Sequence, residues 1–160
     1  VFGTAPGKEP IWRNVFVERF GKLPKIYYGN GGTTMVSAKK IAACAAQALE
    51  YSEHGDELPI GSRNIKFVPM IRQLLEAAAI DKPVAAMPTW LMGMTMKMQW
   101  KKDQRMELDS GLDMRYLARD ILGRGFYVDY ESTDQKLQMT DYIDDVDAAI
   151  HETGLRMQQN

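Results

Sequence analysis

Gly29, Asn30, Gly31, Gly32, Thr33 and Thr34 run in succession between a short apolar stretch with strand character and an alanine-rich stretch with helical spacing. Consecutive glycines leave backbone N–H groups unobstructed, and a following helix N-terminus adds the positive end of a dipole, so such a loop could cradle a phosphate or a carboxylate. The run lacks the Gly-Lys-Ser/Thr of a P-loop and the spacing of a dinucleotide fingerprint, and Asn-Gly is equally a strong turn signal. A plain turn is the less demanding reading, and anion binding is the chemistry to test.

Arg115, Arg119 and Arg124, with Lys101, Lys102 and Arg105 before them, could contact phosphates, while Tyr116, Phe126, Tyr127 and Tyr130 interleave with them and could stack on bases. Asp113, Asp120 and Asp129 lie among the same cations, so an ion-paired, solvated face is the favoured reading of the cluster over a nucleic-acid groove. Asp144, Asp147 and His151 are spaced to share one face of a final helix, as metal ligands or an acid–base set would be. They point away from that helix's apolar stripe, which predicts a water-facing acidic surface instead. With two histidines and one cysteine, Cys44, in the chain, a zinc site of the usual His/Cys type is not expected, and no cofactor is predicted. No G-x-S-x-G elbow occurs, and Ser62 after Gly61 has no recognisable partner base, so nothing indicates an enzyme.

The chain contains eleven methionines, and Met92, Met94, Met96, Met98 and Trp100 fall on every second residue. That period predicts a half-buried strand, although methionine itself favours helix. Methionine also gives adaptable apolar surface where partners must repack, which marks these five residues as a candidate interface as well as a candidate core.

These groups need elements to hold them. Residues 1–10 carry Gly3, Pro6, Gly7 and Pro10 and read as a flexible arm, leaving 11–160 as one globular domain. Residues 11–20 have helical spacing, and 25–28 suit a short strand. Residues 34–51 form a helix with Ile41, Ala45 and Ala48 on one side and Ala42, Ala46 and Leu49 beside them. Pro69 opens another helix with Met70, Ile71, Leu74, Leu75 and Ala78 inward. Met92 to Leu108 predicts one hairpin, turning at residues 101–104, and Phe126 to Met139 a second. Between them 112–122 is helical, capped by Asp109 or Ser110. A last helix starts at Thr140 and buries Tyr142, Ile143, Val146, Ala149 and Ile150 until Gly154. The fold class is α+β, predominantly helical with one or two antiparallel hairpins; a helical 92–100 would make it nearly all-α.

At 160 residues with 45% hydrophobic and 26% charged residues, the composition is that of an ordinary folded domain. No run reaches the ~18 apolar residues of a membrane span, and the opening residues do not read as a secretory signal. The expectation is a cytoplasmic or virion protein that is not secreted and has no membrane partner. The net charge of −1 argues against binding nucleic acid through bulk charge, while local patches keep nucleic acid open as a partner. Residues 1–80 hold ten Lys/Arg against seven Asp/Glu, and 81–160 hold ten against fourteen, an asymmetry that could guide copies together head to tail.

Two short stretches, 70–75 around Arg72 and 126–133, are distantly similar to the coat proteins of flexuous filamentous viruses over a small part of the chain. That resemblance implies an RNA contact at Arg72 with an acidic residue such as Asp120 nearby. The reading that gathers the arm, the methionines and the charge asymmetry is a non-enzymatic, self-associating structural or assembly subunit, of coat or nucleocapsid type. Alternatives are a small anion- or nucleotide-binding module built on residues 29–34, and a winged-helix-like DNA binder.

Overall fold

A computed structural model of the chain describes residues 1–3, 10–19, 23–108, 113 and 116–158. The architecture is α+β and mostly helical, as the sequence predicts. In chain order the elements are α1 (Ile11–Arg13), continuing into a π-helical segment Asn14–Arg19, then β1 (Ile26–Tyr28), β2 (Gly32–Met35), α2 (Ala38–Tyr51), β3 (Arg63–Lys66) and α3 (Phe67–Ala77). There follow β4 (Val84–Ala86), α4 (Thr89–Arg105), a second π-helical segment Leu117–Leu122, β5 (Gly125–Phe126), α5 (Glu131–Lys136) and α6 (Val146–Gln158).

The strands form two small sheets. β1 lies parallel to β4, with Ile26 opposite Val84, and β2 is the centre of a three-stranded sheet, antiparallel to β3 and parallel to β5. Ser37 caps α2 by accepting the Lys40 N–H at 3.0 Å, which is why that helix begins after β2 rather than at Thr34. α3 begins at Phe67, so Pro69 sits in its first turn, where no intrahelical N–H is needed.

The main core gathers on α3. Met70, Ile71, Leu74 and Leu75 are buried against Ile26 and Val84 of the parallel pair, Phe16, and Val146, Ala149 and Ile150 of α6. Gly154 allows α6 to approach closely, because a Cβ there would lie 2.4 Å from that of Ala77. The helix therefore runs through Gly154 to Gln158 instead of ending on it.

Several expected elements take other forms. Residues 92–100 are helical, within α4, and the predicted hairpin loop 101–104 is helix too, with Gln99 Nε2 donating to Asp103 Oδ1 at 2.7 Å one turn on. Methionine's helix preference prevails here, and among the described residues no strand pairs with this segment. The second hairpin is absent as well: β5 pairs with β2, and residues 131–136 form α5. In α2 the inward face is Lys40 and Cys44, while Leu49 is 91% exposed. α6 starts at Val146, leaving Tyr142 and Ile143 outside the core, with Ile143 92% exposed. Of the helix predicted over 112–122, the described part is wound mainly as the π-helical segment; its caps Asp109 and Ser110 lie outside the described residues.

Residues 1–3 dock on the domain. Phe2 is buried, donates its N–H to Val36 O at 3.0 Å, accepts from Ala38 N at 2.7 Å, and stacks on Trp12 with ring centroids 5.5 Å apart. The remainder of the predicted arm, residues 4–9, lies outside the described residues.

Candidate interaction surface

α4 is amphipathic in an unusual sense. Of its 17 residues, all described, only Met92 is buried, packing with Ala118 and Leu122 of the second π-helical segment while the partly buried Met96 joins them. Trp90, Met94 and Met98 follow one another at four-residue intervals and are 70%, 55% and 69% exposed. Residues at that spacing stack along one helix face, so they form a single apolar stripe in water. Lys97, Lys101 and Arg105 are exposed at the same spacing over the adjoining turns, with Lys102 beside them. The outer face thus changes from apolar to cationic along the helix, and the cations suit the negative end of its dipole. Of the five candidate interface residues, Met92 turns inward, Met96 and Trp100 are half-buried, and Met94 and Met98 face out.

A second polar centre ties the domain together. Lys40 is 2% exposed, and its Nζ donates to Gly61 O and to Asp134 Oδ2, each at 2.7 Å, while lying 5.4 Å from the centroid of the Tyr130 ring. Asp144 accepts from the Ser37 N–H at 3.0 Å and from the hydroxyls of Ser37 and Ser62. Burial alone would raise the Asp144 carboxyl, but the two hydroxyls, the backbone N–H and the Lys40 charge together hold it below the ordinary carboxylate value. A depressed folded-state value stabilises the fold above the unfolded value of about 3.9 and is lost as pH falls through the folded one. Asp144→Asn is therefore expected to cost about 1 kcal/mol at pH 7, the scale of such partly exposed hydrogen bonds, and to flatten the acid limb of stability in denaturant melts run from pH 6 to pH 2. An unchanged acid limb would remove Asp144 from the account. None of this centre is announced by a motif, because its parts come from residues 37–40, 61–62, 130–134 and 144.

The loop proposed for anions is committed elsewhere. Gly31 N–H donates to Leu122 O at 2.9 Å and Gly32 N–H to Arg124 O at 3.3 Å, while Gly31 O accepts from Phe67 N at 2.9 Å. Gly29, Gly31 and Gly32 are buried and Asn30 is exposed. Thr33 and Thr34 belong to β2; Thr33 Oγ1 donates to Thr34 O, and Thr34 Oγ1 bonds Asn64 Oδ1 at 2.6 Å and accepts from Val128 N at 2.9 Å. The glycines serve close backbone approach: a Cβ on Gly31 would lie 1.9 Å from Arg124 O, and one on Gly29 2.0 Å from Leu122 O.

The predicted nucleic-acid residues are distributed over several elements. Arg72 donates through Nε and Nη2 to Val84 O at 3.2 and 2.8 Å, fastening α3 to β4. Arg119 grips the neighbouring Asp120 at 2.6 and 2.9 Å and lies over the Tyr116 ring, so the two residues implied by the coat-protein resemblance each have another partner. Lys101, Lys102 and Arg124 are exposed; Arg115 lies outside the described residues. Asp147 pairs with Arg63 through two bonds of 2.7 Å, and Asp144 precedes α6, so the predicted Asp144–Asp147–His151 face is divided between different partners.

No protein-family model and no curated protein matches the chain. Among solved structures it is similar to one described as "Crystal structure of gox2253", with a TM-score of 0.68 and 16% sequence identity. The superposition covers 99% of this chain and 46% of that one, so the chain spans about half the length of its structural neighbour. The likeness is one of fold.

Proposed function

We propose that this chain works by association: it is a self-associating assembly subunit whose α4 presents the docking face. The observation that carries the reading is the exposed stripe of Trp90, Met94 and Met98 on a helix that buries little of itself. Large flexible and aromatic side chains on one face are the composition of an interface core. Among the described residues no helix is long and apolar enough to cross a membrane, so the stripe is not part of a spanning helix. A cytoplasmic or virion setting accords with this reading, and the exposed Lys101, Lys102 and Arg124 are where an RNA partner would be sought, by its salt-dependent mobility.

Light scattering across a concentration series tests it. The wild-type chain is expected to grow in mass with concentration, and Met94→Glu combined with Met98→Glu to weaken association at least tenfold while leaving the thermal melt within about 0.5 kcal/mol, since both side chains face water. A wild-type chain that stays monomeric at high concentration overturns self-association.

A second reading is that the chain is one lobe of a larger two-part protein. It is favoured by the fact that nearly the whole chain superposes on 46% of its structural neighbour. On that reading the wild-type chain remains monomeric in the same experiment, and the α4 face is covered by a different body of protein. A phosphate-binding role for residues 29–34 has less support, because the amides of Gly31 and Gly32 already have backbone acceptors.

A further inference from the structure

We infer that α4 of one copy docks into the cleft between residues 1–3, the start of α2 and residues 142–152 of a second copy; this rests on the self-association reading above. The cleft has a volume of about 220 Å³ and takes its walls from Phe2, Ala38, Tyr142, Ile143, Ala148 and Ala149. The same lining includes the exposed Asp145 and Glu152, Asp144 held by Ser37 and Ser62, and the exposed cation Lys39. Within that lining Ile143 is 92% and Tyr142 37% exposed, an apolar pair flanked in sequence by the exposed carboxylates Asp141 and Asp145.

The two surfaces have complementary chemistry. α4 offers a Trp–Met–Met stripe followed by Lys97, Lys101, Lys102 and Arg105; the cleft offers apolar walls bordered by acids. An aromatic anchor in a pocket with charged groups meeting at the rim is the arrangement that gives both affinity and orientation. Trp90, the most exposed of the three stripe residues, is the anchor this geometry selects. The donor and acceptor faces lie on different elements, so copies can meet reciprocally about a two-fold axis or head to tail, and in either arrangement one intact α4 and one intact cleft suffice for a single contact.

That requirement supplies the test. Trp90→Glu removes the anchor and Ile143→Glu spoils the receiving surface; both side chains face water, so each variant should keep the wild-type thermal melt. Each alone is expected to associate at least tenfold more weakly than wild type. Mixed in equal amounts they should form a dimer and nothing larger, because the intact cleft of the first meets the intact α4 of the second. If Trp90→Glu abolishes association while Ile143→Glu leaves it unchanged, or if the mixture stays monomeric, the cleft is not the receiving surface although self-association stands. A wild-type chain that is monomeric throughout overturns both.

Discussion

Lys40→Met is expected to lower the unfolding free energy by about 3 kcal/mol, at the lower end for breaking a buried ion pair. The lysine side chain is 3% exposed and that of Asp134 16%, and Asp134 Oδ1 is buried without a hydrogen-bond partner. Removing the ammonium leaves this carboxylate with no counter-charge and orphans the Gly61 carbonyl, which also accepts from Nζ. Methionine fills most of the space, so the loss reports on charge rather than on volume. Converting Asp134 to Leu in the same chain should recover at least half of it, because an apolar pair of similar size has no ion to desolvate. Urea melts of the four-member cycle measure the coupling. A single variant as stable as wild type would show that the pair is not what joins α2 to α5.

Gly31→Ala is expected to cost about 3 kcal/mol or more, the upper range for forcing atoms into filled space. The added methyl would meet Arg124 O at 1.9 Å and Leu122 O at 2.8 Å, and these are backbone atoms that no rotamer change can move. Relief requires parting the Gly31–Leu122 and Gly32–Arg124 hydrogen bonds, which join β2 to the second π-helical segment and β5. Gly93 is the contrast. It lies inside α4 with nothing within 4 Å of its missing Cβ, so Gly93→Ala should stabilise the chain by about 0.5–1 kcal/mol. Thermal melts of the two variants should move in opposite directions; a Gly31→Ala melt at or above that of wild type would mean that Gly31 does not act by close approach.

The legible parts of the fold were those governed by local periodicity. α3 could be read from its apolar residues because the helix buries one side against a single core, and β1 because its apolar run ends at glycine. α4 departs from the expected strand because alternate methionines fit a period of two, while in a helix the same spacing divides them between two opposite faces, with Met92, Met96 and Trp100 on one and Met94 and Met98 on the other. Packing on residues 117–122 decides which face turns inward, burying Met92 and leaving Met94 and Met98 exposed. The hairpins failed for a related reason: β5 finds its partner in β2, about ninety positions earlier, and neither strand carries a mark of the other. Of the interface candidates, the methionines and tryptophans are visible from composition, but the cleft is not, because it is assembled from residues 1–3, 37–39 and 142–152. Lys40, Asp134 and Asp144 were hidden because a buried charge looks like any other charge until its partners are known.

The docking of residues 1–3 has a consequence for the order of events in folding. Gly3 N–H donates to Thr153 Oγ1 at 2.9 Å, and that hydroxyl also donates to Ala149 O at 2.8 Å within the last helix. The two residues are separated by 150 positions, among the longest loops the chain can close. A growing chain can assemble β2, α2 and α3 while later residues are still being added, but the first residues cannot complete their seat until Thr153 has arrived. Loss of the Thr153 hydroxyl, as in Thr153→Val, would therefore act mainly on this last closing step, loosening the first residues before the core around α3 is disturbed.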